Sequence, residues 1–348
     1  PIKNKKKQVI KEILSVKIIA GNSAVRISNT VMIILFNLLW LSIHFFSTII
    51  LILEVNMPYL KTSDGINLYY EKTGSGIPII FVHEFAGDHR SWEPQVNFFS
   101  RNFTCITYSA RGYTPSDVPN DINMYSQERA WQDIRDIVEG LDLKKAHIVG
   151  LSMGGFATLH FGINCPNLAL SLCIAGCGYG AKPKNSQNDE GFSIVSENTA
   201  KDILNRGMKI VGSEYALGPS RVQFQNKDYN GWKKFNDMLI AHDQTGSANT
   251  LLGVQSKRPN LYDLTDEIAK IETPTLIING DEDDMCIEVG VYLKRTISTS
   301  GLFVVPKTGH TINLEEPALF NQQLASFYQS IENKSWKKRD DRAEIIIN

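Results

Sequence analysis

The part of the sequence best suited to chemistry is a serine in a tight glycine motif. Ser152 is the central residue of "GLSMG", Gly150 to Gly154, which follows an apolar run and precedes a helical one. A serine in such a G-x-S-x-G motif lies on a sharp strand-to-helix turn that exposes its hydroxyl. Because a hydroxyl is a weak nucleophile until a base takes its proton, we expect a histidine and an orienting carboxylate elsewhere in the chain.

Both expected partners follow Ser152 in the order carboxylate, then histidine. The segment "INGDEDDMC" places the carboxylates of residues 281–284 after an apolar run, and "VVPKTGHTINLEEP" places His310 after another. Reactive groups in open parallel sheets gather where the carboxyl ends of the strands meet. The spacing therefore predicts a hydrolytic site built on Ser152, His310 and one of the four carboxylates.

The elements that must position these residues are predicted from short apolar runs. Alternating residues joined through Asp64-Gly65 predict a hairpin, and Ser126 to Leu141 has helical periodicity behind a serine cap. Six further runs are typical of buried strands: 77–83, 103–109, 146–152, 168–176, 274–280 and 302–309. Because helical patterns lie between several of them, the fold class is α/β with a mostly parallel sheet.

One interval of about ninety residues, 181–270, is too long for an ordinary crossover between strands. Its amphipathic stretches predict an inserted helical lid, an element that commonly closes over active sites. Trp232, His242 and Arg258 are its candidate substrate-pocket residues. The predicted core then consists of residues 57–180 and 271–332, followed by a charged, loosely attached tail over 333–348.

Residues 57 to about 332 resemble the α/β-hydrolase superfamily, in particular its lid-bearing serine hydrolases. Besides G-x-S-x-G, the resemblance rests on "GDED", on "GH" followed by "LEEP", on "SARGYTPSD" and on "HEFAGDHRSW". It implies a mostly parallel, eight-stranded-type sheet flanked by helices, with an inserted helical lid. Such motifs are specific for the fold and only weakly informative about the substrate.

The resemblance also implies a role for each matching residue. The family pattern G-x-x-D selects Asp283 as the acid, with Asp281 or Asp284 as alternatives. The backbone N–H groups of Phe85 and Met153 would form the oxyanion hole, where each donor is worth roughly 3 to 4 kcal/mol. Neither a cofactor nor a metal is implied.

The sequence departs from the family pattern at Glu84, where glycine is usual. An ionised carboxylate aimed at the oxyanion hole would oppose the charge that develops there. We therefore expect Glu84 to turn sideways and brace the loop by pairing with a donor such as Arg111, or to meet substrate or water as an acid. Arg111 and His83 are expected to be structural loop residues, and Cys286 is a second departure from the pattern.

The implied function is a serine hydrolase that cleaves a small carboxylic ester or lactone through an acyl-enzyme. Relatives with similar triads leave two enzymatic alternatives, a C–C bond hydrolase of a ring-cleavage product and a cofactor-free perhydrolase. The alternative of another class is a non-catalytic ligand-binding protein on the same fold. Haloalkane dehalogenase and epoxide hydrolase are disfavoured, because in the family these enzymes carry an aspartate at the position of Ser152.

Composition excludes several other classes. The net charge of −1 and the lack of a basic stripe argue against a nucleic-acid partner. The five cysteines include no CxxC pair, so neither a disulfide framework nor a zinc site is indicated. A small-molecule substrate is the expected partner, for a monomer or a homodimer.

Residues 1–56 differ in character from the rest of the chain. A basic stretch precedes "VMIILFNLLWLSIHFFSTIILIL", residues 31–53, which is uncharged and exceeds the ~20 residues needed to span a bilayer. As a native anchor it would place the hydrolase domain outside the cytoplasm. The favoured interpretation is a spurious or processed segment, with Met57 as the true start of a cytoplasmic protein.

Overall fold

The computed structural model describes residues 58–181 and 191–343. The predictions for residues 1–56 lie outside these described residues. Within the described part of the chain, none of the helices combines the length and the apolar character needed to cross a membrane.

An eight-stranded sheet forms the centre of the fold. Its strands are β1 (Tyr59–Lys61), β2 (Asn67–Thr73), β3 (Ile77–Val82), β4 (Phe103–Tyr108), β5 (Ala146–Leu151), β6 (Ala169–Ala175), β7 (Thr275–Gly280) and β8 (Ser300–Val305). They lie in the order β1-β2-β4-β3-β5-β6-β7-β8. Only the pairs β1–β2 and β2–β4 are antiparallel. The predicted hairpin and the mostly parallel sheet are confirmed.

Apolar side chains cover both faces of the sheet, as β3 illustrates. Ile79 and Phe81 point into one apolar cluster, whereas Ile80 and Val82 point into the other. Successive strand residues face opposite sides, so a strand buried on both faces must be apolar throughout. This is why the continuous apolar runs of the sequence correspond to central strands.

Helices flank the sheet and fill the insertion. Outside the insertion they are α1 (Glu93–Phe99), α2 (Gln127–Gly140), α3 (Met153–Asn164), α10 (Asp284–Thr296), α11 (Ile312–Glu315) and α12 (Pro317–Glu332). Helix α2 begins where predicted, because the Ser126 hydroxyl accepts a hydrogen bond from the Arg129 amide at 3.0 Å.

The insertion between β6 and β7 is helical, as predicted. It contains α4 (Phe192–Arg206), α5 (Met208–Ala216), a 3-10 turn (Pro219–Arg221), α6 (Val222–Lys227), α7 (Tyr229–Leu239), α8 (Gln244–Thr250), a π-helical turn (Leu251–Gln255) and α9 (Thr265–Ala269). Gly207, with φ 83°, ends α4 and separates it from α5. The opening and closing of this insertion as a lid stays a prediction.

A third apolar cluster joins the insertion to the sheet edge. It contains Trp232 and Phe235 from α7 together with Phe85, Tyr113 and Met153 from the core. The insertion therefore packs directly on the loops that carry the predicted oxyanion amides.

The start of the tail is attached, contrary to expectation. The Trp336 indole N–H donates to the Thr299 carbonyl at 2.7 Å, and its ring lies 4.5 Å from that of Phe327. The Arg339 amide donates to the Ser298 carbonyl at 2.9 Å. The prediction of a loose tail is wrong for these residues, because a half-buried indole and hydrogen bonds to the carbonyls of Thr299 and Ser298 fix them beside the start of β8.

Candidate active site

Ser152 occupies the turn between β5 and α3. Its backbone has φ 56° and ψ −114°, a conformation that costs a non-glycine residue about 1 to 3 kcal/mol. The Ser152 amide donates to the Ala175 carbonyl at 2.8 Å, and the Ser152 carbonyl accepts from the Phe156 amide at 2.9 Å. These bonds hold the strained turn between β6 and the first turn of α3.

The two motif glycines allow this turn because the chain passes too close for a side chain. A Cβ on Gly150 would lie 2.1 Å from the Gly154 carbonyl oxygen, and one on Gly154 would lie 2.1 Å from the Val82 oxygen. The pattern G-x-S-x-G is therefore a packing requirement of the turn that presents Ser152.

Asp283 and His310 meet at the same edge of the sheet. The His310 Nδ1 and an Asp283 carboxylate oxygen are 2.6 Å apart, and the Asp283 residue is only 3% exposed. Burial opposes ionisation of this carboxyl, but the charge and hydrogen bond of His310 outweigh it and lower the pKa of Asp283 below its ordinary value. Asp281 and Asp284 are exposed, and Asp281 accepts from the Thr308 amide at 3.1 Å.

The imidazole of His310 lies beside the backbone that holds Ser152. A Cβ on Gly176 would lie 3.3 Å from His310 Cε1. Gly176 directly follows Ala175, whose carbonyl binds the Ser152 amide. The structure thus brings Ser152, Asp283 and His310 to one place from three separate loops.

Phe85 and Met153, whose amides are the predicted oxyanion donors, pack their side chains in one apolar cluster. Met153 is the first residue of α3, where a backbone N–H has no acceptor within its own helix. In the ranges 58–181 and 191–343, neither amide donates a hydrogen bond to another residue. The Phe85 carbonyl accepts from the Tyr113 hydroxyl at 3.0 Å, which fixes the loop that carries its amide. Both amides therefore keep a donor without an acceptor in the described part of the chain, and one of them belongs to the residue after Ser152.

Comparison with known proteins identifies the family to which this site belongs. Residues 77–317 match the family profile described as alpha/beta hydrolase fold. The chain belongs to the α/β hydrolase fold family. It is a hydrolase by this membership, which confirms the resemblance inferred from the motifs.

Relatives of the hydrolase have several activities. The 3-oxoadipate enol-lactonase 1 of Acinetobacter baylyi is 27% identical over 255 residues, which cover 73% of this chain and 89% of the relative. Epoxide hydrolase 3 of Mus musculus is 32% identical over 309 residues, covering 81% and 78%. A thermophilic esterase from Thermogutta terrifontis has a similar structure, with a TM-score of 0.69, 23% identity and coverage of 79% and 98%.

His83 braces the loop that carries Glu84 and Phe85, in line with expectation. Its Nδ1 donates to the Glu84 carbonyl at 2.7 Å, and its Nε2 accepts from the Ala110 amide at 2.9 Å. Burial lowers the pKa of His83 to about 4, so the imidazole is neutral near pH 7. With both ring nitrogens bonded, His83 has no free site for a proton.

Glu84 is paired with Arg221 of the insertion. The Arg221 Nη1 lies 3.1 Å from one Glu84 oxygen, Nη2 bonds the other, and the Thr311 hydroxyl accepts from the same guanidinium. Both charged residues are buried, at 2% and 1% exposure. Burial alone would lower the pKa of Arg221, but the charge of Glu84 raises it.

The predicted pairing of Glu84 with Arg111 is therefore wrong. Arg111 donates two hydrogen bonds to Asp133, at 2.9 and 2.6 Å, and two to Asp64, at 2.8 and 3.1 Å. Two carboxylates already neutralise it, and it ties its loop to α2. Sequence reasoning missed Arg221, which lies 137 positions from Glu84 with no local motif to connect them.

The other insertion candidates are buried. Trp232 donates its indole N–H to the Ala216 carbonyl at 2.8 Å, and His242 packs its ring 5.1 Å from Tyr113. Arg258 is 6% exposed, and its Cζ lies 4.8 Å from the centroid of the Phe156 ring. Trp232 and His242 thus belong to the packing between insertion and core. Arg258 adjoins α3, the helix that follows Ser152.

Two groups of side chains in the hydrolase have the composition of metal ligands. Asp283, Cys286 and His310 have ligand atoms within 4.8 Å of one another, and a carboxylate cluster near Arg111 is similarly close. Burial and the charge of Asp283 raise the pKa of Cys286 well above its ordinary value, so the thiol stays protonated. The carboxylate cluster is engaged by arginines. Both groups fit hydrogen-bonded ion pairs better than metal ligand sets.

Proposed function

We propose that this hydrolase cleaves carboxylic esters or lactones through an acyl-enzyme on Ser152. The observation that carries the proposal is the 2.6 Å bond between His310 Nδ1 and Asp283, beside the strained Ser152 turn. A carboxylate that binds one nitrogen of an imidazole leaves the other nitrogen to act as a base.

In the proposed reaction, the Ser152 hydroxyl oxygen attacks the carbonyl carbon while His310 Nε2 accepts the hydroxyl proton. Asp283 stabilises the imidazolium that forms, and the amides of Phe85 and Met153 donate to the oxyanion. Collapse of the intermediate expels the alcohol, which takes the proton from His310. Water then attacks the acyl-enzyme with His310 again as the base, releasing the acid and restoring Ser152.

Among the relatives, the enol-lactonase supports this class of substrate and the epoxide hydrolase suggests another. If the Ser152 oxygen opened an epoxide, the product would be an alkyl ether on the serine. That ether has no carbonyl for water to attack, so the enzyme could not be regenerated by the same machinery. The serine therefore favours esters and lactones over epoxides.

Covalent labelling tests the proposal. A fluorophosphonate probe phosphonylates a serine only if a base activates its hydroxyl, so we expect it to label the wild-type protein and not Ser152→Ala. Ser213→Ala, at a half-buried serine on α5 whose hydroxyl donates to the Lys209 carbonyl, is the matched control and keeps the label. A wild-type protein that stays unlabelled and hydrolyses no p-nitrophenyl ester would contradict the proposal and favour a ligand-binding protein.

A further inference from the structure

Arg258 is a buried cation whose charge no residue of the described chain neutralises. It is 6% exposed, and its Nε is enclosed without a hydrogen-bond partner. Within residues 58–181 and 191–343, its guanidinium contacts two aromatic rings, Phe156 at 4.8 Å and Phe192 at 5.0 Å, and forms no ion pair. Aromatic rings attract a cation but do not neutralise it.

The other two buried arginines near the loops of the site are paired. Arg111 binds Asp64 and Asp133, and Arg221 binds Glu84. Burying an unpaired charge is costly, so buried cations are normally accompanied by an anion. Because Arg258 has none among residues 58–181 and 191–343, its environment suits an anion that arrives with a ligand.

Arg258 adjoins the same backbone segments that hold the reactive groups. Phe156, which lies against its guanidinium, donates its amide to the Ser152 carbonyl. The Arg258 Nη2 lies 4.0 Å from the place where a Cβ on Gly178 would stand, two residues after the glycine that packs on the His310 ring. The cation thus borders the site from the side of the insertion.

The carboxylates of the site itself are already engaged. Asp283 binds His310, and Glu84 binds Arg221. Neither can turn to Arg258 without leaving its present partner unpaired.

We propose that Arg258 binds a carboxylate of the substrate, so that the preferred substrates are esters or lactones with a second, free carboxylate. This inference rests on the proposed esterase function for the identity of the reacting group. A guanidinium presents parallel N–H donors that match the two oxygens of a carboxylate, and such charge-assisted bonds are stronger than neutral ones. Arg258 lies three residues after the π-helical turn Leu251–Gln255, and π turns are frequent at functional sites.

Two esters of equal chain length test the assignment. The 4-nitrophenyl monoester of glutaric acid ends in a carboxylate, whereas 4-nitrophenyl pentanoate ends in a methyl group. We expect Arg258→Met to lower kcat/KM for the glutarate ester by roughly 10- to 100-fold and to leave the pentanoate ester within about threefold. Arg258→Lys keeps the charge but lacks the paired N–H donors of the guanidinium, so its kcat/KM for the glutarate ester should fall between those of the wild type and Arg258→Met.

Lys257→Met is the matched control, because this substitution also removes one positive charge, from an exposed lysine one residue away. It should change neither rate by more than about threefold, since exposed charges are screened. Equal losses on both esters in Arg258→Met, or an equal loss on the glutarate ester in Lys257→Met, would overturn the assignment.

A binding measurement separates this inference from the proposed function. The Ser152→Ala protein should bind the glutarate monoester in calorimetry at least tenfold more tightly than the Ser152→Ala, Arg258→Met protein does. Equal affinity in the two proteins would overturn the role of Arg258 even if the enzyme is an esterase. Arg258-dependent binding in a protein that turns over neither ester would sustain the carboxylate site and overturn the esterase function.

Discussion

The sheet edge and the insertion contribute different kinds of groups to the site. The sheet edge supplies a hydroxyl, two backbone amides and an imidazole bonded to its own carboxylate. The insertion supplies two buried guanidinium groups, of which Arg221 is bonded to Glu84 and Arg258 is bonded to no described acid. Under the proposals made above, the sheet edge would carry the reaction, and the insertion would supply positive charge that holds a loop and a ligand.

Removing the nucleophile should produce the largest effect and confine it to turnover. Ser152→Ala is expected to lower kcat for a p-nitrophenyl ester by about 10⁴-fold or more. Thermal unfolding should change little, because no hydrogen bond of the Ser152 hydroxyl to the described residues is lost. Residual turnover within tenfold of wild type would contradict the assignment of reaction to the sheet edge.

The carboxylate cluster offers a comparison within the sheet edge. Asp283→Asn should cost roughly 10³- to 10⁴-fold in kcat, because an amide no longer stabilises the imidazolium or fixes its tautomer. Asp281→Asn and Asp284→Asn serve as controls and should stay within about threefold, since both residues are exposed. Steady-state kinetics of the three variants would show a misplaced acid if either control were the inactive one.

Breaking the Glu84–Arg221 pair should act on stability more than on chemistry. Glu84→Gln leaves the Arg221 guanidinium buried without a counter-ion, which typically costs about 3 to 5 kcal/mol. We expect a lower free energy of unfolding in denaturant titration and little change in the pH profile of kcat/KM. Arg258→Met is the contrast, because removing an unpaired buried cation should not lower stability by a comparable amount.

The double variant Glu84→Gln, Arg221→Met sharpens this contrast. With both charges removed, its free energy of unfolding should fall by less than the sum of the decreases in the two single variants. Strict additivity, or a shift in the acidic limb of kcat/KM at unchanged unfolding free energy, would instead place Glu84 in the chemistry.

Mild acid should lower the free energy of unfolding through His83, on the sheet side, and leave the charges of the insertion's arginines unchanged. The folded His83 has a pKa of about 4 and the unfolded histidine about 6.5, so the unfolded state takes up a proton first as the pH falls. Stability is therefore lost progressively between pH 6.5 and 4, by about 2 kcal/mol at pH 5 for this residue. His83→Gln should flatten the pH dependence of the unfolding free energy in this window, and an unchanged slope would contradict the neutral, bonded imidazole.

Much of the sheet could be predicted because its signals are local. The run predicted over residues 77–83 corresponds to Ile77–Val82, and the run over 146–152 to Ala146–Leu151. Buried parallel strands need apolar residues on both faces, so each strand is visible in a short window. The turn at Ser152 could be predicted equally well, because close backbone packing demands glycine at fixed positions around Ser152.

The insertion could be predicted as helical but not in its contacts. The partner of Glu84 lies 137 positions away, and nearer arginines were equally plausible by charge alone. Ion pairing depends on which side chains the tertiary fold buries together, and no local pattern in the sequence predicts that arrangement. The same limit explains why Arg258 could be named as a pocket candidate, while its lack of an acidic partner among the described residues became visible only in the fold.

The 3-10 turn Pro219–Arg221 has a consequence for how substrates reach the site. Arg221 bonds Glu84 and Thr311, and the Ser220 carbonyl accepts from the His310 amide at 3.0 Å. If the whole insertion swung outward as one rigid flap, all of these bonds would break and a buried charge pair would separate. These bonds therefore favour a turn that stays in place, so that a lid motion, if the predicted lid opens, would move the other helices of the insertion and leave this turn bonded to the core.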